Sequence, residues 1–202
     1  MDGYRELVQY LIETRALKTQ RIISAFEAID RKDFVRAEYL ADAYYDGPLP
    51  IGCGQTISQP TVVAMMLEWL EPEPGNKILD IGSGSCWTTA LLAKCVTKSG
   101  QVIGLERIPE LVEFGRENLK NHSLAQADNR LAGDALGYPG KKFDRIMVSA
   151  AAQSLPKELI AQLKTGGILV VPVLSSILII KKISDTDYEE NESYGFSFVP
   201  LL

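Results

Sequence analysis

Histidine, cysteine and clustered basic residues are all scarce in this chain, and each scarcity removes a class of function. The single histidine, His122, falls near the end of a helix-like stretch and reads as a solvated surface residue, so no general base is evident. The three cysteines, Cys53, Cys86 and Cys95, are odd in number and lack metal-ligand spacing, so no metal site is expected. Reduced thiols in a cytoplasmic protein are the economical reading. Lys and Arg form no run and the net charge is −5, which argues against a nucleic-acid or anionic-membrane binder. No apolar stretch approaches the roughly 20 residues that span a bilayer. The longest, 168–180, is interrupted by Pro172 and a serine pair and reads as two buried strands. The opening Met1-Asp2-Gly3-Tyr4-Arg5-Glu6 is charged at once, without the apolar core of a signal peptide. Internal repeats and low-complexity segments are absent as well.

What is present suits one soluble domain: 202 residues, 46% apolar and 23% charged, are enough for a sizeable core. Residues 3–17 and 19–30 carry apolar positions at helical spacing (Leu7, Tyr10, Leu11, then Ile22, Ile23, Phe26, Ile29) and predict an N-terminal helical cap. From Arg31 to Thr56 the chain is long, aromatic and irregular, which favours a functional loop over a connector. From Asn76 the period alternates. Strands are predicted at 77–81, 101–105, 128–132, 143–149 and 167–173, with helices at 86–96, 109–120 and 156–164. Such alternation means right-handed crossovers and an α/β fold with a doubly wound, mostly parallel sheet. Two more strands, 176–183 and 195–201, are predicted to close it as an antiparallel hairpin. The linker between them holds five acids (Asp185, Asp187, Glu189, Glu190, Glu192) that read as a solvated hairpin tip.

Two segments carry chemistry. Residues 46–60, Asp-Gly-Pro-Leu-Pro-Ile-Gly-Cys-Gly-Gln-Thr-Ile-Ser-Gln-Pro, form a stiff, non-periodic loop that delivers Ser58 to a helix signalled by Pro60 and by Val62, Val63, Met66 and Leu67. A hydroxyl at a helix N-terminus makes an anion site; the plainer reading of Ser58 is that helix's N-cap. The second segment, Asp80-Ile-Gly82-Ser83-Gly84-Ser-Cys86, follows a strand and precedes a helix, as a nucleotide-binding turn requires. Glu106 ends the next strand, 22 residues after Gly84, at the spacing of a ribose-binding acid. Gly133-Asp134 ends the third, where an acid can accept a bond from an adenine amino group. An acid in the glycine turn repels phosphate yet suits a sulfonium and an ammonium, which favours S-adenosylmethionine over a dinucleotide. No Gly-Lys-Ser/Thr follows the turn, so a Walker-type phosphate site is excluded.

Read together, these segments resemble the protein-L-isoaspartate O-methyltransferases nearly end to end. The resemblance rests on Phe34-Val35, Ala43-Tyr44-Tyr45-Asp46, Pro48 to Pro60 with its Gly-Gln-Thr-Ile-Ser core, Ile78 to Gly84 and Glu106 to Leu111. Gly133-Asp134, Phe143-Asp144, Ala150 to Ala152, Leu163 to Gly167 and Phe198-Val-Pro-Leu201 complete it. It implies a Rossmann-like seven-stranded methyltransferase that repairs aged proteins by methylating the free α-carboxylate of L-isoaspartyl residues. Ser58 would be the catalytic residue. Asp80, Gly82, Ser83, Gly84, Glu106, Arg107, Gly133, Asp134 and Ala135 would hold S-adenosylmethionine and its product S-adenosylhomocysteine. Ile57, Ser58, Gln59, Val199 and Pro200 would contact the isoaspartyl peptide. On this reading 1–60 is the helical cap and substrate loop, 61–173 the cofactor core and 174–202 the closing strands of a single domain, expected to be a monomer without metal. The chain departs from the family's usual pattern at Cys86, at Trp87-Thr88, at Ala135 and in the short connection after Pro172. Two alternatives therefore stand beside the first: a methyltransferase with another acceptor, and a non-catalytic isoaspartyl-binding relative.

Overall fold

The computed structural model describes residues 3–201. The chain opens on two amphipathic helices, α1 (Gly3–Glu13) and α2 (Gln20–Ala28), which bury Leu7, Val8 and Leu11, and Ile22, Ala25 and Phe26. The irregular stretch that follows holds two short 3-10 turns, Arg31–Phe34 and Ala37–Asp42, and then a hairpin of β1 (Leu49–Gly52) and β2 (Gln55–Ile57). The hairpin tip needs three left-handed residues in succession, Gly52, Cys53 and Gly54 at φ +97°, +53° and +72°, which is why two of them are glycine. Helix α3 (Pro60–Leu70) then starts on its proline.

The remainder is β3 (Lys77–Ile81), α4 (Trp87–Val96), β4 (Gln101–Glu106), α5 (Pro109–Asn121), β5 (Ala127–Leu131), β6 (Phe143–Val148), α6 (Lys157–Ala161), β7 (Leu163–Val173), β8 (Ser176–Lys182) and β9 (Tyr188–Tyr194). These seven strands form one sheet in the order β5-β4-β3-β6-β7-β8-β9. The first five in that order run parallel, and β8 and β9 are antiparallel. Strands buried on both faces send neighbouring residues into different cores. Ile78, Ile168 and Val170 pack with the N-terminal helices, α3 and α4, whereas Leu79, Leu169 and Val171 pack with Leu159 and Leu163 on the other face. After β5 the chain returns to the far side of β3. The strand order therefore reverses at β3, and a crevice opens there at the carboxyl ends of the strands. No helix among the described residues is long and apolar enough to cross a membrane.

Several local expectations are corrected. The predicted strand 195–201 is not one; the acidic stretch itself forms β9, with Lys181 opposite Glu189 and Ile180 opposite Glu190. Charged side chains suit this edge, because they discourage a further strand from adding to its open ladder. Only Asp185 and Asp187 remain in the turn. Residues 195–201 instead cross the carboxyl end of the sheet, with Phe196 edge-on to Trp69 and one parallel bridge between Ala151 and Pro200. The helix predicted over 156–164 stops at Ala161, since the Gln162 carbonyl accepts the Phe143 amide and its side chain bonds the Tyr138 amide and the Leu136 carbonyl. His122 is not a solvated residue. It caps α5, stacks on Phe34 at 5.0 Å and places Nε2 3.3 Å from Asp33 Oδ2, joining α5 to the first 3-10 turn.

Phe26 is fully buried and meets Trp87 edge-on at 5.6 Å, so it pins α2 to the start of α4. Phe26→Ala is expected to lower the unfolding free energy by about 3–5 kcal/mol. Urea denaturation measures this, and a loss below about 1 kcal/mol would refute the packing described here.

Candidate active site

The glycine turn is shaped by what its backbone must reach. The amides of Gly82 and Ser83 both donate to Leu105 O of β4, at 2.8 and 3.1 Å, while the chain turns sharply into α4. Gly82 and Gly84 take φ of +78° and +51° to do so. Glu106 ties this turn to the next one. Its Oε2 accepts the Gly84 amide and its Oε1 the Ile108 amide, each at 3.0 Å. Ser83 Oγ donates to Asn129 Oδ1 of β5 at 2.7 Å, so three successive strands fix one turn.

Asp80 lies one layer deeper than the sequence implied. It is fully buried, its Oδ2 accepts Thr89 Oγ at 2.6 Å, and its Oδ1 has no partner among the described residues. Burial pushes its carboxyl up to about 6, against the Thr89 bond, and the nearby Glu106 charge adds to the rise.

The opposite wall is the loop 46–60, which is tied down by side chains. Arg31 is fully buried and its guanidinium donates to four carbonyls: Ala43 O at 2.8 Å, Tyr45 O at 3.0 Å, Gly47 O at 2.8 Å and Ser58 O at 3.1 Å. Burial pulls its pKa down to about 10, with Asp46 opposing, so it is charged at neutral pH. The N-terminus of α3 is not the open anion site expected, because Asp46 already fills it. Asp46 Oδ1 accepts the Thr61 amide at 2.9 Å, and Oδ2 accepts Thr61 Oγ at 2.6 Å and Gln59 Nε2 at 3.3 Å. The residue at the N-cap is Gln59, not Ser58. Ser58 borders the cleft, and its hydroxyl bonds no protein group among the described residues.

Between these walls lies a cleft of about 950 Å³, within the size of a ligand-binding cavity. Ile57 and Ser58 line it from the loop, and Gly82, Ser83, Gly84, Glu106 and Arg107 from the two turns. Gly133, Asp134 and Ala135 join them from the segment after β5, and Val199 and Pro200 from the C-terminal tail. Two predicted residues lie outside the lining: Asp80, behind the glycine turn, and Gln59, turned toward Asp46. The structure adds Trp87, Thr88, Ile108, Leu136, Ala150 and Leu201. Trp87 and Thr88 carried a usable signal, being the first helical residues after a glycine turn. Leu201 closes the Phe198–Leu201 motif of the resemblance, whereas Leu136 comes from an irregular segment and carried none.

With this geometry in hand, comparison with known proteins is decisive. Residues 2–202 match the family described as Protein-L-isoaspartate(D-aspartate) O-methyltransferase. The chain belongs to this family. A relative named protein-L-isoaspartate O-methyltransferase from Staphylothermus marinus is 40% identical over 98% of this chain and 93% of its own length. One of the same name from Aeropyrum pernix is 42% identical over 100% of this chain and 81% of its own. A solved structure from Plasmodium falciparum, described as a β-aspartate methyltransferase in complex with S-adenosyl-L-homocysteine, superposes with a TM-score of 0.90 at 25% identity. It covers 100% of this chain and 99% of its own. The resemblance read from the loop and the strand ends is thus membership, and the Rossmann-like sheet with its antiparallel C-terminal hairpin is the shared fold.

Cys86 is accommodated by a small residue on the facing helix. It takes φ +67° with its thiol buried, and a methyl on Gly115 of α5 would lie only 2.5 Å from Cys86 Sγ. Helix α5 leaves the room that the cysteine fills. That methyl would also lie 2.7 Å from Asn129 Nδ2 and 3.0 Å from Gly84 O, so Gly115→Ala is expected to destabilise the protein by about 1–3 kcal/mol through overpacking against the turn, and adding Cys86→Ala should recover only the part due to the thiol. Thermal and urea unfolding of the single and double variants measure the coupling; strictly additive losses would refute it.

Proposed function

We infer that the protein transfers a methyl group from S-adenosylmethionine to the free α-carboxylate of L-isoaspartyl residues in damaged proteins and peptides, leaving S-adenosylhomocysteine. One observation carries this reading. Within a chain of this family, the unpartnered hydroxyl of Ser58 shares a cleft with the glycine turn and Glu106.

The residues present fit the cofactor. Glu106 is held by two amides and retains carboxylate lone pairs for ribose hydroxyls. Asp134, exposed at the rim, suits an adenine amino group, and Arg107 and Ala135 border the same end. Gly82 and Gly84 allow close approach to the turn's backbone. The buried Asp80 oxygen without a partner matches a ligand that brings positive charge to the far side of that turn. S-adenosylmethionine supplies an electrophilic methyl carried on a sulfonium.

The chain's own residues then have modest work to do. An α-carboxylate with a pKa near 3.5–4 is ionised at neutral pH, so no general base is required. His122 agrees with this, being engaged with Asp33 and Phe34 and absent from the cleft. Ser58 donates to the substrate carboxylate, while Ile57, Val199 and Pro200 wall the acceptor and exclude water. Rate is gained by orientation and by removing water from two oppositely charged reactants. We also read the protein as a monomeric, single-domain cytoplasmic enzyme acting on proteins, not on nucleic acid or membranes. The acidic net charge and the shortage of basic runs support that reading.

Incubation with labelled S-adenosylmethionine should place base-labile label on an isoaspartyl peptide and none on its aspartyl isomer. Ser58→Ala should lower kcat/KM for the peptide on the order of 10²-fold while leaving S-adenosylhomocysteine affinity within twofold. Label on both isomers, on neither, or an equal loss of catalysis and cofactor affinity would overturn the assignment.

Asp80 gives an independent test of cofactor placement. Its raised pKa means that it carries a proton below about pH 6, and a cationic ligand that favours the carboxylate must expel it. Calorimetric titration with S-adenosylmethionine in buffers of different ionisation enthalpy should show proton release at pH 5 that vanishes above pH 7. Asp80→Asn should abolish the release. An unchanged proton count in that variant would remove Asp80 from the site.

A further inference from the structure

We propose that Arg31, which lies outside the cleft, is the positioning residue that sets Ser58 and supplies positive charge to the subsite for the isoaspartyl α-carboxylate. The inference rests on the function proposed above. It starts from an unusual balance: the guanidinium is fully buried, yet its four acceptors are all neutral carbonyls. Carbonyl dipoles solvate a buried charge without cancelling it. The carboxylate that most affects it is Asp46, whose oxygens are committed to Thr61 and Gln59 at the start of α3. The Nε donor of Arg31 is buried and has no partner among the described residues.

Placement makes this charge relevant to the reaction. Nη2 bonds the carbonyl of Ser58 itself, and the guanidinium carbon sits 5.5 Å over the ring of Trp87, a cleft-lining residue in the first turn of α4. The same group holds 43–47 against Ser58, so the serine is fixed relative to the cofactor turn through one planar fork. A lysine, with three donors on one nitrogen, cannot span four carbonyls in that way. With the α3 N-terminus filled by Asp46, Arg31 is the fully buried cation behind the loop wall that can attract an anionic acceptor, whereas Arg107 lines the cleft from the side of the two turns. In low-dielectric surroundings that attraction reaches farther than it does in water.

The test compares an isoaspartyl peptide with the same peptide carrying a carboxamide in place of the α-carboxylate, the latter used as a competitive inhibitor. In wild-type enzyme the peptide must be methylated; if it is not, the function above fails and the proposal falls with it. Given that baseline, Arg31→Met should raise KM for the peptide about tenfold or more and shrink the carboxylate-over-carboxamide preference by a similar factor. S-adenosylhomocysteine affinity should stay within twofold. Arg31→Lys should keep much of the preference but lose kcat, because charge survives while the fork does not. An undiminished preference in Arg31→Met, with lower thermal stability alone, would reduce Arg31 to a structural tie and overturn the proposal. Should Arg31→Met not fold, Asp46→Asn tests the same charge from the other side. It removes the opposing carboxylate while keeping an acceptor for the Thr61 amide, and KM for the peptide should fall about threefold. An unchanged or raised KM there would overturn the proposal as well.

Discussion

Four backbone carbonyls from two ends of one loop converge on the Arg31 guanidinium, and the loop wall of the cleft depends on them. Residues 43–58 contain only a short two-stranded hairpin, so most of their carbonyls have no ladder to join. Buried carbonyls need donors, and a fork with five N–H groups satisfies several at once. Asp46 performs the reciprocal service for donors, taking the Thr61 amide and hydroxyl and the Gln59 side chain. Arg31 and Asp46, with Arg36 donating to Ile51 O at 2.7 Å, thus stand in for secondary structure in this segment. Ser58 lies between the two, its carbonyl held by Arg31 and its hydroxyl left for the cleft.

The facing wall, built on the sheet, uses a different device. Here the sheet supplies the scaffold, and the carboxyl ends of β3, β4 and β5 present their turns side by side. Glu106 fastens the first turn to the second and the Ser83–Asn129 bond fastens the first to the third, so no turn moves alone. Gly115 extends the same close approach to α5, where the backbone of the helix meets the thiol of Cys86. A cysteine in the turn would be disruptive beside a larger helix residue and is harmless beside this one.

The sheet and the turns at its carboxyl end were legible in the sequence because their signals are local. An apolar strand, a glycine turn and an acid at a set spacing can be read within a window of about 30 residues. Pro60 marked the start of α3 for the same reason. The loop wall was half legible: its composition marked a functional loop, but nothing local pairs Arg31 with carbonyls up to 27 residues away. The anion site was assigned to a helix N-terminus because Ser58 and Pro60 suggested one, and the side chain of Asp46, 15 residues before Thr61, decided otherwise. The acids of β9 misled by composition. Charge marks an edge strand as readily as a loop when one face and one rim are open to water. His122 misled similarly, since its stacking on Phe34 joins segments 88 residues apart in the chain.

The distribution of charge across the cleft bears on turnover as well as on binding. Acids outnumber cations on the side of the glycine turn, with Glu106 and Asp134 in the lining beside Arg107 and Asp80 behind it, whereas the buried guanidinium stands behind the loop. On the proposed function a cationic methyl donor and an anionic acceptor would each be drawn to the wall of opposite sign, and the transfer would then remove both charges. The S–CH₃ bond breaks as the O–CH₃ bond forms, giving a neutral thioether and a neutral ester. The attraction that assembled the reactants is therefore withdrawn from the products by the reaction itself. At low local dielectric that attraction is stronger than in bulk water, so its loss would weaken product binding in the same step that completes the chemistry. A site built from fixed charges on opposite walls thereby favours assembly before transfer and release after it.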